Sequence, residues 1–388
     1  MVIPLEEGRY YSLRDFCSEC NRQLKTTYRL DRVPSDLVEL TDRDRRVLQL
    51  LSEADSAGRL LRVQLDANRM VIALPNSEDE DVRRKTRRQF ERLFGVSLSE
   101  WPPGMGLHLP DKFSTTKSTV LLIPGLESNS KALGGLAKAF RKIGVQVLNF
   151  DYPNDGPLAW SGRRLRTELK ALFAQYPKLR LVIVAHSMGG LISRHALEAP
   201  DTALGRITDV FMLGTPHRGS SLARGQPWLE LFSETLPGLG GSFAAVRDGL
   251  GEAAEDLEPG SKFLAGLNAG QRPQSTRYHN AIGRKGFVTP EEFRTIEGQL
   301  DRLLDKRGVP LLERAAILGF WSQSRELRTG DGDGCVAISS ARLAGAHSER
   351  VFDLNHWELM STSPDKRQSE VFLWIVKTMG WNTLESLR

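Results

Sequence analysis

The sequence predicts an α/β protein, a mostly parallel sheet with helices on both faces, preceded by a small α+β module. Three observations lead there. From residue 118 onward, short apolar β-branched runs alternate with amphipathic stretches of helical period, the pattern of strands buried on both sides. Within Leu179–Arg194 one such run stops at a Ser flanked by small residues and passes directly into helical spacing. Upstream, Trp101-Pro102-Pro103-Gly104-Met105-Gly106 interrupts the chain. A chain of 388 residues also exceeds the roughly 250–300 that one core usually serves. The expected organisation is a module over 1–100, a linker over 101–117 and a larger domain over 118–388.

The module reads as helix Leu13–Leu24, a short strand near Leu37–Leu40, helix Asp42–Leu51, strands Leu60–Asp66 and Met70–Pro75 around a turn at Ala67-Asn68-Arg69, and helix Asp79–Phe94. This order resembles the small amino-terminal modules of secretins and related envelope proteins. The basic run Arg83–Arg92 carries Val82, Phe90, Leu93 and Phe94 on an apolar side, so it reads as the solvated face of a docked helix. Cys17-Ser-Glu-Cys20 lacks a second pair or spaced His ligands for zinc and shares a helical face with Leu13, Phe16 and Leu24, which favours buried thiols.

With 40% hydrophobic and 26% charged residues, seven Trp and sixteen Phe, a large core is available. The net charge of +5 is spread among Asp and Glu rather than gathered, which argues against nucleic acid as a partner. No apolar run approaches the length of a transmembrane segment, and the first residues do not read as a signal peptide. A peripheral contact with a membrane or envelope surface, an unknown partner for the module, and the compartment all stay open.

In the larger domain, strands are expected at Thr119–Ile123, Val145–Phe150, Leu179–Ala185 and Asp209–Leu213, with helices near Leu133–Lys142, Ser161–Gln175 and Leu191–Ala199. The turn Ala185-His186-Ser187-Met188-Gly189-Gly190 suits a nucleophile lifted from the end of a buried strand, with a helix N-terminus aimed at it. Small residues are needed two before and two after the Ser, and Ala185 and Gly189 supply them.

Four segments, in order, make residues 118–380 similar to the α/β-hydrolases, in the lipase and esterase branch that includes GPI inositol-deacylase-like proteins. They are Leu121-Leu122-Ile123-Pro124-Gly125-Leu126, the Ser187 turn, Leu213-Gly214-Thr215-Pro216-His217-Arg218-Gly219-Ser220, and Gly330-Asp331-Gly332-Asp333-Gly334-Cys335-Val336 followed by the loop at His356. The first departs from the family by having Pro124 where lipases usually carry His, and the second by having Ala185 for Gly.

The resemblance implies a serine ester hydrolase with Ser187 as nucleophile, His356 as base and Asp333 as its orienting acid. Asp331 is the competing acid and His217 the alternative base. It also implies main-chain oxyanion donors at Leu126 and Met188, and no metal or organic cofactor. His186, His217, Trp228, Phe232 and Trp357 are the expected pocket residues, under a cap within about 218–275. Ser221–Val246 is apolar enough for a lid, or equally for a packed helix, and Asp256–Asn268 is similar to the family's D-L-x-P-G-S-x-F-L-x-x-L-N stretch. The implied substrate is a hydrophobic or lipid-like ester. Acyl transfer, amide or thioester hydrolysis, and a non-catalytic binding role remain alternatives.

Overall fold

The computed structural model describes residues 2–7, 10–12, 14, 15, 18, 19, 22, 37–39, 62–66, 68–73, 105–125, 131–153, 157–198, 204–224, 253–362 and 370–381. The chain forms two compact units, Met1–Pro103 and Gly104–Arg388.

In the first unit, β1 (Val2–Pro4) pairs antiparallel with one edge of β5 (Arg69–Ala73), whose other edge pairs with β4 (Arg62–Asp66). Ile3, Met70 and Ile72 are buried between them. A second ladder joins β2 (Tyr10–Ser12) to β3 (Leu37–Glu39). The strands β1 and β2 were not expected, because three residues are too few for an alternating pattern to register. Of the helix expected over 13–24, residues 14, 15, 18, 19 and 22 are helical. The helices expected at Asp42–Leu51 and Asp79–Phe94, and both Cys17 and Cys20, lie outside the described residues.

The second unit is built on a seven-stranded sheet of β6 (Gly106–His108), β7 (Thr119–Ile123), β8 (Gln146–Asp151), β9 (Leu181–His186), β10 (Ile207–Leu213), β11 (Arg277–Gly283) and β12 (Ser348–Phe352), in the order β12-β11-β10-β9-β7-β8-β6. All neighbours are parallel except β6, which runs antiparallel to β8. This corrects the linker assigned to 101–117: Gly106-Leu107-His108 belongs to the sheet, as a strand too short to be read from its period.

Alternation along the strands serves two layers. Val120, Leu122, Val182, Val184, Phe211 and Leu213 face α1 (Gly134–Lys142) and α9 (Glu370–Met379), where Phe140 meets Phe372 edge-on at 5.1 Å. The intervening residues Leu121, Ile123, Ile183 and Ala185 are equally buried, on the side of α2 (Leu158–Gln175) and α3 (Met188–Leu197). The chain passes from β7 outward to β8 and then back across β7 to β9. The carboxyl ends of β7 and β9 therefore flank the point where strand order reverses, the usual place for a ligand site in such sheets.

After β9 and β10 the chain forms α4 (Ala253–Leu257) and α5 (Lys262–Ala269). Beyond β11, α6 (Pro290–Lys306) and α7 (Leu311–Gln323) stand as an antiparallel pair. Trp321 is buried in this pair, stacked on Phe293 at 4.7 Å and donating its Nε1–H to the Phe293 carbonyl (3.1 Å). The short α8 (Ile338–Ala341) precedes β12. No helix among the described residues is long and apolar enough to cross a membrane.

At the amino ends of β10, β11 and β12, His279 Nε2–H donates to Asp209 Oδ1 (2.9 Å) while its Nδ1 lies 2.7 Å from Ser348 Oγ. Arg277 adds a second partner to Asp209 at 2.8 Å. Burial raises the Asp209 carboxyl, but hydrogen bonds from His279 and Arg277 outweigh it and hold it at about 2. The folded value lies below the roughly 3.9 of an unfolded Asp, so its contribution is present above about pH 4 and is lost as pH falls through about 2. Asp209→Ala strands the buried His279 and is expected to cost about 3 kcal/mol in urea unfolding at pH 7, with the deficit shrinking toward pH 2.

Candidate active site

Ser187 sits between β9 and α3 with φ 50° and ψ −123°. Among the described non-glycine residues it shares positive φ only with Glu7. A side chain held there costs on the order of 1–3 kcal/mol, and the surroundings fix it. The Ser187 N–H donates to the Leu213 carbonyl (2.8 Å), and the Ser187 carbonyl accepts from Thr215 Oγ1 (2.9 Å) and the Gly190 N–H (3.0 Å). A Cβ on Gly189 would stand 2.4 Å from the Pro124 carbonyl oxygen, and one on Gly190 would stand 2.0 Å from Thr215 Oγ1. The need for small residues therefore extends one position beyond Gly189. Met188 opens α3, so its N–H has no acceptor within the helix and lies at the positive end of the helix dipole.

Asp333 and His356 are brought together. His356 Nδ1–H donates to Asp333 Oδ2 (2.9 Å), which leaves Nε2 as the basic nitrogen, and both side chains are buried. The other Asp333 oxygen accepts from the N–H groups of Val336 (2.7 Å) and Cys335 (3.0 Å), and the His356 N–H donates to the Asp333 carbonyl (2.9 Å). The pair lies at the carboxyl end of β10: a Cβ on Gly214 would come within 3.0 Å of both Asp333 Oδ2 and His356 Nδ1. Asp331 is turned elsewhere, its carboxylate held by Arg328 Nε (2.7 Å) and Nη2.

His186 links this pair to the Ser187 turn. Its Nε2–H donates to the His356 carbonyl (2.9 Å), and the two rings lie 4.6 Å apart. Burial, reinforced by the neighbouring His356, lowers His186 to about 3 against that hydrogen bond, so the ring is neutral at ordinary pH. A Cβ on Gly125 would touch both His186 Nδ1 and Ser187 Cβ at 2.9 Å, which brings the end of β7 against the turn. The Tyr152 hydroxyl, at the end of β8, donates to the Pro124 carbonyl (2.7 Å) and pins that loop.

His217 is buried against Arg194 of α3. Arg194 Nη1 donates toward its Nδ1 (3.3 Å) and its Nε2 faces Asn280 Oδ1 (3.4 Å), so both ring nitrogens are engaged, away from Asp333. Burial and the Arg194 charge hold it well below the usual imidazole range. Arg194 also pairs with Glu198 (2.7 Å) and donates to Asn268 Oδ1 (2.9 Å), while Asn268 Nδ2 donates to the His217 carbonyl (2.8 Å). This network fastens Asn268, at the end of the D-L-x-P-G-S-like stretch, to the Thr215–His217 loop. Asp256, at its start, accepts from the Leu158 N–H at the head of α2 (2.8 Å).

Trp357 is half-buried and stacks on Phe287 at 5.8 Å. Leu126, Trp228 and Phe232 lie outside the described residues, as do 225–252 within the expected cap. Arg194, Tyr152 and Glu326 went unnoticed in the sequence, where each stands alone among ordinary polar residues. Glu326 Oε1 accepts from Ser220 Oγ (3.0 Å), Ser221 Oγ (2.6 Å) and the Leu222 N–H (3.1 Å), while its carbonyl accepts from the Gly334 N–H (2.8 Å). It joins the start of the expected cap to the Asp333 loop, and burial raises its carboxyl against those hydrogen bonds.

A family model described as PGAP1-like alpha/beta domain matches residues 163–253. A triacylglycerol lipase of Burkholderia plantarii is 28% identical over 140 residues, 33% of this chain and 37% of that lipase. A triacylglycerol lipase of Pseudarthrobacter phenanthrenivorans is 30% identical over 124 residues, 29% of this chain and 37% of that lipase. The matched region thus spans little more than a third of the length of these curated relatives. Among solved structures, the mature form of Bacillus licheniformis lipase BlEst2 superposes with a TM-score of 0.47 at 20% identity, covering 70% of this chain and 96% of that one. The sequence relatives and the doubly covered parallel sheet agree: the chain has the α/β-hydrolase fold and is similar in sequence to proteins of its lipase and esterase branch.

Proposed function

We propose that this protein hydrolyses hydrophobic carboxylic esters through Ser187, His356 and Asp333. The observation that carries the reading is the buried His356–Asp333 hydrogen bond of 2.9 Å next to a Ser turn held at positive φ. In this reading His356 Nε2 takes the Ser187 proton as Oγ attacks the ester carbonyl. Asp333 fixes the tautomer and stabilises the imidazolium. The Met188 N–H, with Leu126 as the second donor, stabilises the tetrahedral oxyanion. His356 then protonates the departing alcohol, and water, deprotonated by the same ring, releases the acid from Ser187.

The hydrophobic substrate class is supported by the relatives' description as triacylglycerol lipases. It is supported also by the composition of the expected cap, where Trp228, Leu229, Leu231, Phe232, Leu236, Leu239 and Phe243 recur among Gly and Pro.

The test is hydrolysis of p-nitrophenyl esters from acetyl to palmitoyl. Turnover that disappears in folded Ser187→Ala supports the reading, and full activity in that variant contradicts it. The acid is tested separately. Asp333→Asn is expected to lower kcat by about 10⁴, whereas Asp331→Asn, which loses only a partly exposed pair with Arg328, should keep activity within a few-fold. The reverse ranking would move the acid to Asp331.

A further inference from the structure

The pair α6–α7 leaves the sheet and returns to it at the site. It departs after the carboxyl end of β11 at Gly283 and rejoins at Phe287–Thr329, where the Phe287 N–H donates to the Leu327 carbonyl (2.8 Å) and the Thr329 N–H to the Val288 carbonyl (2.8 Å). Four residues later comes Asp333. The pair has its own core in Phe293, Leu300 and Leu304 from α6 and Ile317 and Trp321 from α7. A capping box at Thr289 and Glu292 starts it.

Its tip is different. Leu311 and Leu312 are 78% and 87% exposed, the two most exposed large hydrophobic side chains among the described residues, and Ala315 and Ala316 continue the exposed apolar face. Beside them the turn carries Lys306 and Arg307, both exposed and, among the described residues, without an ion-pair partner. Arg314 draws in both nearby Asp side chains, Asp301 (2.6 Å) and Asp305, and residues 301–314 together carry one net positive charge. Glu313 is the remaining anion at the tip. Two adjacent exposed leucines, edged by Lys306 and Arg307 in a segment of net positive charge, match an interface with acyl chains below and anionic headgroups at its surface.

We propose that the tip Lys306–Leu312 docks on an anionic lipid surface, with Leu311 and Leu312 inserted and Lys306 and Arg307 at the headgroup phosphates. Docking itself is independent of the hydrolase reading. Its benefit, bringing the Ser187 end of the sheet to an ester-rich interface, rests on that reading.

The test uses vesicles of ether-linked lipids, which an esterase does not degrade, so binding is read apart from turnover. The full chain should co-sediment with vesicles of equal phosphatidylglycerol and phosphatidylcholine, less so as salt rises. L311D/L312D should lower the partition coefficient at least about tenfold. K306E/R307E should lower it about tenfold or more on the anionic vesicles and leave binding to pure phosphatidylcholine unchanged. Both variants alter exposed side chains and should keep the wild-type melting temperature and activity on a water-soluble ester. Wild-type failure to bind, or equal binding by L311D/L312D, overturns the proposal. Self-association of the wild type in sedimentation velocity that L311D/L312D abolishes would overturn it in favour of a second copy of this chain.

Discussion

The site depends on one backbone constraint, the positive φ of Ser187 at the end of β9. A serine in this conformation turns its side chain out of the strand while the chain enters α3, and it persists only where neighbours over-determine it. Two adjacent loops do so. The end of β10 supplies the Leu213 carbonyl and the Thr215 hydroxyl, and the end of β7 lies so close that no side chain fits at Gly189. The strain is thus stored in a turn gripped from both neighbouring strands, with little freedom to relax.

The same economy governs the rest of the site. Each loop at the carboxyl edge of the sheet is tied to the next by a buried polar contact: Tyr152 to Pro124, His186 to His356, Arg194 to His217 and Asn268, and Glu326 to Ser220 and Ser221. Buried polar groups are costly when left unpaired, so such ties specify one arrangement of loops that hydrophobic packing alone would leave free. The contrast with Asp209, His279 and Ser348 is instructive. Those three side chains have the residue types of a triad and comparable distances, yet they sit at the amino ends of the strands with His279 fully buried under Phe211. Residue identity and hydrogen bonding do not distinguish a site from a structural lock; position on the sheet does.

Much of this was legible in the sequence. Strands β7 to β10 and the Ser187 turn announce themselves because fully buried strands read as unbroken apolar runs and because the turn demands small residues. The choice of Asp333 over Asp331 came from the family resemblance, whose motif aligns on Gly334 and Val336, and in the structure Asp333, not Asp331, reaches His356. What escaped is either short or solitary. Strand β6 has three residues, helix α7 has an apolar face turned outward that blurs its period, and Arg194 and Glu326 look like any surface charge until the fold buries them. A lone charged residue in a sequence carries no sign of whether it will be solvated.

In the proposed mechanism the strained turn and the His356–Asp333 pair make Ser187 a nucleophile. The most direct measurement is reaction of the folded protein with a fluorophosphonate at neutral pH, followed by mass spectrometry of the modified peptide. One label per chain on Ser187 is expected, with labelling slowed by orders of magnitude in His356→Ala. An unlabelled protein, or a label carried by another serine such as Ser348, would contradict it.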